Sequence, residues 1–307
     1  MKKSLIALAV LGVSGAAMAQ SSVTLYGAID VGYGQVKSNG EKAQLHAGGD
    51  LITNTTSRIG FKGVEDLGGG TKVGFNFEQG INSETGASGG YQRQAHVWIG
   101  GGFGTLKLGR AFTPSYNGIA NWEILGAPNY SVVANTYGYG GSGTSRHDSQ
   151  ISYATPNLGG FSAEVAYVTK HDNTQYVDKD KWDLNVAYAN GPLAAAVTAA
   201  KIKDGKTSWT VGGKYNFGQF AVAASYNDAR EIGALHRRGV SLGASAKFDA
   251  FSLAVDFTRD TKVSFGKKYT NGVVEAKYAL SKRTFVYADY LRLDEHNNYG
   301  VGVRHNF

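Results

Sequence analysis

The chain has 307 residues, among them 43 glycines, 18 tyrosines and 14 phenylalanines, and it contains no cysteine. Disulfide cross-links, thiolate catalysis and Cys-ligated metal sites are therefore excluded. The formal net charge is +7, but the basic residues are scattered singly along the chain, which disfavours a nucleic-acid-binding surface. The mean hydropathy of -0.25 is too polar for a bundle of membrane helices.

The amino terminus predicts export from the cytoplasm. Lys2 and Lys3 precede an apolar run over residues 5–13, and Ala17 to Ala19 supplies the small residues of a signal-peptidase site. The apolar run is shorter than the ~20 residues that a membrane-spanning helix needs. We therefore expect a signal peptide over residues 1–19 and a single mature domain over residues 20–307.

From Val23 onward, apolar residues alternate with small or polar ones at a period of two. Such a strand presents one face to lipid and the other to water. Residues 58–62 and 73–78 repeat the alternation on either side of a glycine-rich turn at 65–70, which predicts a hairpin. The last segment, Tyr299 to Phe307, alternates up to the terminal aromatic residue.

The same two-strand unit recurs along the chain, and we count sixteen strands in all. An even number of antiparallel strands of about 9 to 11 residues predicts an all-β fold, a 16-stranded antiparallel transmembrane β-barrel. The alternative is a secreted protein of two packed sheets, which needs a shared interior rich in Leu, Ile and Phe. The face opposite the apolar one carries Gly, Ala, Ser, Asn and isolated charges. This composition favours a wide, water-filled lumen over two packed sheets.

Four segments resemble those of general diffusion porins of Gram-negative outer membranes, particularly the type found in Neisseria and other beta-proteobacteria. They read VTLYGAIDVGYG, SRIGFKGVEDLGGGTKVGFNFEQG, RQAHVWIGGGFGTLKLGR and VGVRHNF. The resemblance implies a homotrimer of integral barrels in outer-membrane lipid and lipopolysaccharide, passing small hydrophilic solutes and ions. It also implies an inward-folded third long loop, and a terminal Phe307 that the barrel assembly machinery reads.

The longest connection runs over residues 111–145, and loops of this length are usually functional. Its position between the fifth and sixth strands is that of the porin constriction loop. Glu123 is its only charged residue, and Tyr116 and Trp122 are among its aromatic ones. Since porins of this type set an acidic loop against arginines on the wall, we expect Glu123 to face such arginines.

The resemblance identifies the wall arginines as Arg58, Arg93 and Arg146. Strand parity also turns Arg58 and Arg146 inward, because they oppose apolar positions such as Ile59 and Ile151. Three arginines against one glutamate make the eyelet net positive, which predicts a preference for anions. Several inward carboxylates would offset part of that charge: Asp30, Glu78, Glu164, Asp256, Glu275 and Asp289.

Two other functions stay open at this point. A substrate-specific channel would line its pore with aromatic residues, and the loop carries Tyr116, Trp122, Tyr130, Tyr137 and Tyr139. A barrel enzyme would need converging catalytic groups, yet the seven histidines accompany no Gly-x-Ser-x-Gly or His-Glu-x-x-His motif. The sequence therefore predicts a channel with no catalytic residue, cofactor or bound metal.

Overall fold

The computed structural model of the protein describes residues 22–37, 40, 42–170, 179–230, 236–263 and 266–307. The predicted signal peptide lies outside these residues. The first part of the chain forms β1 (Ser22–Gln35), β2 (Gln44–His46), β3 (Arg58–Gly68), β4 (Thr71–Gly80), β5 (Gln94–Gly101), β6 (Gly104–Phe112), α1 (Pro114–Trp122) and α2 (Val132–Gly141). The rest forms β7 (Arg146–Ala154), β8 (Phe161–Val168), β9 (Lys181–Asn190), β10 (Leu193–Ile202), β11 (Ser208–Phe217), β12 (Phe220–Arg230), β13 (His236–Phe248), β14 (Phe251–Asp260), β15 (Thr270–Ala279), β16 (Thr284–Leu293) and β17 (His296–Asn306).

All strands pair antiparallel in one sheet, which closes on β1. Residues 22–28 of β1 pair with β3, and residues 28–35 pair with β17. Closure matters because an open edge in hydrocarbon leaves backbone groups unpaired. The sixteen long strands confirm the predicted barrel, whereas β2 is a short strand that the sequence did not reveal, paired with β1 at Gly32 to Gly34.

The two faces of the wall differ as the alternation predicts. In β9, Trp182, Leu184 and Val186 are exposed on the outer face, while Asp183 and its inward neighbours are buried. The outer side chains thus meet lipid, and the inner ones meet the lumen or the loops folded into it.

At one end of the barrel the connections are tight turns. Gly68, Gly69 and Gly70 all have positive φ, a conformation that costs glycine little. The turn predicted at 65–70 is narrower than expected, because β3 continues to Gly68 and Glu65 pairs with Val73. The longer connections lie at the opposite end.

The connection after β6 folds into the barrel and contains both helices. Thr113 caps α1 by accepting a hydrogen bond from the amide of Tyr116, with Pro114 at the first helical position. Ser131 caps α2 by accepting from the amide of Ala134. Apolar residues of both helices pack against inward residues of β9 to β16. No helix in the described ranges is long and apolar enough to cross a membrane.

Candidate pore constriction

The first half of the constriction loop is fixed to the wall by side-chain hydrogen bonds. Asp183 Oδ1 accepts from both the amide (2.9 Å) and the hydroxyl (2.6 Å) of Ser115, which lies in the first turn of α1. Asn117 Nδ2 donates to Glu164 Oε2 at 2.7 Å. A carboxylate beside the amino terminus of a helix is also favoured by the helix dipole.

The second half is fixed in the same way. The hydroxyl of Tyr130 donates to Glu275 Oε2 at 2.5 Å, and that of Tyr137 lies 3.1 Å from the carbonyl oxygens of Val240 and Arg259. Both tyrosines are fully buried. They act as anchors of the loop and do not form a lining for the pore.

Trp122 is also an anchor. It is fully buried at the end of α1, and its ring lies so close to Gly212 of β11 that a Cβ there would collide with it. The wall lacks a side chain where the indole packs. Trp122 therefore contributes to the position of the loop and not to its pore surface.

Glu123 does not face the arginines, and that expectation is wrong. Its side chain is 0% exposed and accepts hydrogen bonds from the amides of Ala127 (2.6 Å) and Leu125 (3.1 Å) and from the Ser131 hydroxyl (2.9 Å). The carboxylate closes the turn between the two helices. Burial raises the pKa of Glu123, and the hydrogen bonds from Ala127 and Ser131 partly counteract this effect.

Arg58 and Arg93 come together on the wall opposite the loop, with Glu78 between them. Arg93 Nε lies 2.7 Å from Glu78 Oε1, and Arg58 Nε lies 3.4 Å from Glu78 Oε2. The side chains of Arg58 and Arg93 are 19% and 13% exposed, against 5% for Glu78. The hydroxyl of Tyr26 donates to the same carboxylate at 3.0 Å.

Arg146 joins this cluster from the end of the constriction loop, but not for the reason that parity suggested. The β6–β7 pairing is interrupted between Gly109 and Ala111, and Ser149 has a positive φ, so parity does not carry through from Ile151. Its guanidinium carbon lies 4.1 Å from the centre of the Phe112 ring.

Aromatic residues lie beside these arginines. Phe112 stacks on Tyr116 at 4.5 Å between ring centres, and Tyr116 lies 5.9 Å from Tyr139. Tyr116 and Tyr139 are half-buried, unlike the three anchoring aromatic residues of the loop. The positive charges of Arg58, Arg93 and Arg146 all act on the Tyr116 hydroxyl.

Arg304 is a further basic residue of the lumen, and it was not among the arginines predicted from the sequence. Its Nη1 donates to Asn54 Oδ1 at 2.7 Å, and it lies opposite Asp30 in the β1–β17 register. Its charge acts on Arg58. The signal was present in the sequence, because Arg304 alternates with Val301 and Val303 in the last strand.

Most of the inward carboxylates are covered. Asp30 accepts from the amide of Thr55 at 2.8 Å and from the Tyr287 hydroxyl at 2.6 Å. Asp256 lies beside the loop residue Ile124, both flanking Gly243. All but Glu164 are among the buried residues, a set that comprises Asp30, Glu78, Asp256, Glu275 and Asp289.

Lysines occupy the lumen face at the end with tight turns. Lys107 pairs with Trp98 in register and lies 3.9 Å from Glu164 Oε1, and Lys62 lies 5.3 Å from the centre of the Tyr26 ring. The register places six of them on this face: Lys62, Lys72, Lys107, Lys214, Lys247 and Lys277. Within the described part of the chain, no cluster of His, Asp or Glu is arranged to hold a metal ion.

Comparison with known proteins places this geometry in a family. A family model for Gram-negative porins matches residues 4–298. Outer membrane porin protein 32 of Delftia acidovorans is 31% identical, over 99% of this chain and 93% of its own length. Major outer membrane protein P.IB of Neisseria meningitidis serogroup B is 30% identical, over 100% of both chains.

A solved structure agrees with these relatives. The anion-selective porin from Comamonas acidovorans superposes with a TM-score of 0.79 at 26% identity, covering 94% of this chain and 100% of that one. The present chain combines a closed barrel with alternating outer and inner faces. The chain belongs to the Gram-negative porin family, and it is an integral β-barrel diffusion channel of the outer membrane.

Proposed function

We propose that this porin prefers anions, and that the arginines of its constriction are the cause. The observation that carries the proposal is the cluster of Arg58 and Arg93 around Glu78, with Arg146 close enough for the charge of Arg93 to act on it. Arg304 adds a fourth positive charge nearby. The acid of the loop, Glu123, is buried and does not balance them.

The preference follows from electrostatics in a narrow aqueous passage. The guanidinium groups lower the electrostatic free energy of an approaching anion and raise that of a cation. The low-dielectric walls strengthen both effects. At physiological salt the Debye length is about 8 Å, so groups at the constriction act on a passing ion while distant surface charges are screened. The inward carboxylates other than Glu164 are buried, Glu78 included, whereas Arg58 and Arg93 are more exposed than Glu78, which leaves the positive sign dominant.

The lysines at the other end of the lumen extend the same field. Lys62, Lys72 and Lys107 lie on β3, β4 and β6, so an anion that leaves the arginines meets further positive charge. The Comamonas acidovorans porin that superposes on this chain is anion-selective, which supports the same sign here.

The test is the zero-current potential of the purified protein in a planar bilayer under a KCl gradient. The wild-type potential should have the sign set by chloride, and replacing Arg58, Arg93 and Arg146 together by Ser should lower the chloride-to-potassium permeability ratio at least severalfold. The matched control is Arg292→Ser, since Arg292 lies on the outer face of the wall. An unchanged ratio in the triple variant would refute the arginine assignment.

A substrate-specific channel is the second candidate, and one observation favours it. Phe112, Tyr116 and Tyr139 form a half-buried aromatic row beside Arg146, which would suit a solute carrying both a ring and a negative charge. Saturable block of conductance by one solute would support this function. If the block of conductance instead rises linearly with solute concentration, and does so for all solutes of similar size, the result supports general diffusion.

We also propose the remaining features that the family implies. The protein assembles as a homotrimer, residues 1–19 are removed as a signal peptide, and residues 20–307 form one domain. The barrel assembly machinery reads Phe307, and lipopolysaccharide surrounds the outer half of the barrel. The channel has no catalytic role, which an assay of hydrolase activity in a detergent extract checks.

A further inference from the structure

Arg146 is held in a different way from the other two arginines of the constriction. Those two each lie against Glu78, whereas the salt bridges among the described residues do not include Arg146. Its Nη1 donates to Ser145 Oγ at 3.1 Å, and its guanidinium lies over the ring of Phe112. Both partners belong to the constriction loop, so the position of Arg146 depends on how the ends of that loop are fixed to the wall.

A buried lysine of the wall fixes the second end of the loop. Lys181, the first residue of β9, is 1% exposed, and it is the only buried lysine among the described residues. Its Nζ donates to the carbonyl oxygen of Ser142 and to Ser142 Oγ, the latter at 3.0 Å. Ser142 caps the end of α2, where carbonyl groups have no partner within the helix. Lys181 therefore ties the end of α2 to β9.

Two further buried groups complete this tie. His147 Nε2 lies 3.4 Å from Ser142 Oγ and 3.4 Å from Asp183 Oδ2. Asp183 also accepts from Ser115, at the beginning of α1. His147 and Asp183 are each 1% exposed. One buried cluster thus contacts both helices of the loop and includes the residue next to Arg146.

The segment between Ser142 and Arg146 transmits the position of one residue to the other. The amide of Thr113 donates to the carbonyl of Ser145 at 3.0 Å, so the two ends of the loop are joined to each other. The hydroxyl of Thr144 donates to the carbonyl of Arg146 at 3.1 Å. Because the segment is this short and this tightly bonded, a displacement of Ser142 also displaces Arg146.

Burying a lysine at this position is unfavourable in itself. An ammonium group that leaves water loses its hydration, and long lysine side chains ordinarily extend until the charge reaches solvent. An apolar side chain at residue 181 would fill the same volume, but it could not donate to Ser142. The property that distinguishes Lys181 from an apolar residue is therefore the pair of hydrogen bonds to the end of the loop.

We propose that Lys181 is a positioning residue for Arg146. By fixing Ser142, it holds the end of the constriction loop so that the Arg146 guanidinium stays beside Phe112 and near the other arginines. Lys181 itself is buried and does not meet the passing ion. The inference rests on the proposed anion preference and deepens it, because it names the wall residue on which one of the selectivity-determining arginines depends.

The first test is a double-mutant cycle on the chloride-to-potassium permeability ratio of the intact protein, measured from zero-current potentials under a KCl gradient. Lys181→Met keeps a long side chain and removes the hydrogen bonds, so it should lower the ratio about twofold or more. In the Arg146→Ser background, Lys181→Met should have no further effect, because a residue that acts through another is not additive with it. If the two effects multiply, Lys181 acts through its own charge and the inference is wrong.

Lys201→Met is the matched control. Lys201 lies on the neighbouring strand β10, opposite Trp182, with its side chain on the outer face. Its replacement removes the same charge at the same level of the barrel and should leave the ratio unchanged. A fall equal to that of Lys181→Met would show that the ratio responds to any positive charge at this level, which would overturn the inference.

A second variant covers the case in which Lys181→Met does not assemble. Combining it with Asp183→Asn leaves no buried carboxylate unbalanced and keeps an oxygen acceptor for Ser115. The net charge of the protein is then unchanged, yet the permeability ratio should still fall. A wild-type ratio in this double variant, with folding established by resistance to heat denaturation on gels, would overturn the inference.

A nitroxide label gives a readout that does not depend on ion selectivity. The chain contains no cysteine, so Arg146→Cys and Arg93→Cys each provide a single labelling site. The electron paramagnetic resonance spectrum of the label at residue 146 should be that of an immobilised nitroxide and should sharpen when Lys181→Met is added, whereas the label at residue 93 should not respond. An unchanged spectrum at residue 146 would refute the positioning role even in an anion-selective pore. Absence of anion preference would refute the proposed function and leave this spectral change as expected.

Discussion

At the scale of single residues, Glu78 decides how the arginines of the constriction are held. It accepts from Arg93 and from Tyr26, and it lies 3.4 Å from Arg58. A carboxylate between two guanidinium groups keeps them close together and reduces their repulsion, but it also removes one unit of positive charge from the passage.

Replacing Glu78 by Gln should therefore make the pore more anion-selective and the protein less stable. A unit charge ~8 Å from the path of an ion changes the ion's energy by ~0.5 kcal/mol in water, with opposite signs for anions and cations. We expect the chloride-to-potassium permeability ratio to rise severalfold and the thermal unfolding temperature to fall. Zero-current potentials and thermal melts measure the two effects.

Asp256→Asn is the matched control for this variant. Asp256 is a buried inward carboxylate of β14, on the side of the barrel against which the loop packs, and it lies beside Ile124 of the loop. Its removal should change selectivity much less than that of Glu78. Equal changes in the two variants would mean that covered carboxylates contribute to the field as strongly as the one at the arginines.

At the scale of elements, the constriction loop is a folded unit with its own helices, caps and core. The predicted loop of residues 111–145 is present, but the sequence did not indicate that its aromatic residues form the contacts with the wall. Trp122 requires a glycine on the facing strand, and this depends on which residue of β11 the register brings beneath it.

Gly212→Ala should loosen the loop. The new methyl group would collide with the Trp122 ring, and overpacking of this kind costs about 1–3 kcal/mol. We expect a lower unfolding temperature and larger fluctuations of single-channel current. Gly213→Ala is the control, since a Cβ there meets its nearest atom at 3.6 Å; an equal effect of both variants would contradict the role of Trp122.

Glu123 gives the loop a dependence on pH. Burial raises its pKa above the ordinary value of 4.5, so the folded protein binds this proton more tightly than the unfolded chain does. Stability from this group is full at low pH and is lost as pH rises through the raised pKa. Glu123→Gln keeps an oxygen acceptor for Ala127 and loses no stability with pH.

The measurement is the unfolding temperature of wild type and Glu123→Gln from pH 4.5 upward. The variant should gain stability over the wild type as pH increases. If the difference in unfolding temperature between wild type and variant stays constant across this range, the pKa of Glu123 is not raised by burial in the folded protein.

At the scale of the whole molecule, the barrel is closed by the last residue of the chain. The Phe307 amide donates to the Gly27 carbonyl at 3.1 Å, and the Gly27 amide donates to the Phe307 carbonyl at 3.0 Å. The Phe307 ring covers Gly27, where a Cβ would collide with it. The terminal residue therefore completes the pairing between β1 and β17.

Deleting Phe307 should reduce assembly more than conductance. Two backbone hydrogen bonds at the seam and an aromatic contact are lost, whereas no residue of the constriction changes. We expect a smaller folded fraction on unheated gels and wild-type single-channel conductance in the molecules that do assemble. Phe307→Tyr keeps the bonds and the ring, so it should assemble normally; equal loss in both variants would point to a different cause.

Much of the molecule follows from the sequence because alternation along a strand is a local property. Period two identified sixteen strands, the lipid-facing side chains and the inward position of Arg58, and the same parity points to Arg304. The inward position of Arg93 was predicted from the resemblance alone, and the parity argument for Arg146 does not hold across the irregular β6–β7 pairing.

By itself, then, the sequence determined a closed barrel with an apolar outer face, a polar lumen and a long loop between the fifth and sixth strands. Only the tertiary structure decided which inward charges the loop covers, that Glu123 caps a turn within it, and that Arg146 reaches the other arginines past a bulge. The reason is physical. Whether a side chain faces the lumen depends on its neighbours along the strand, whereas its burial and its charge pairing depend on residues brought together from distant strands.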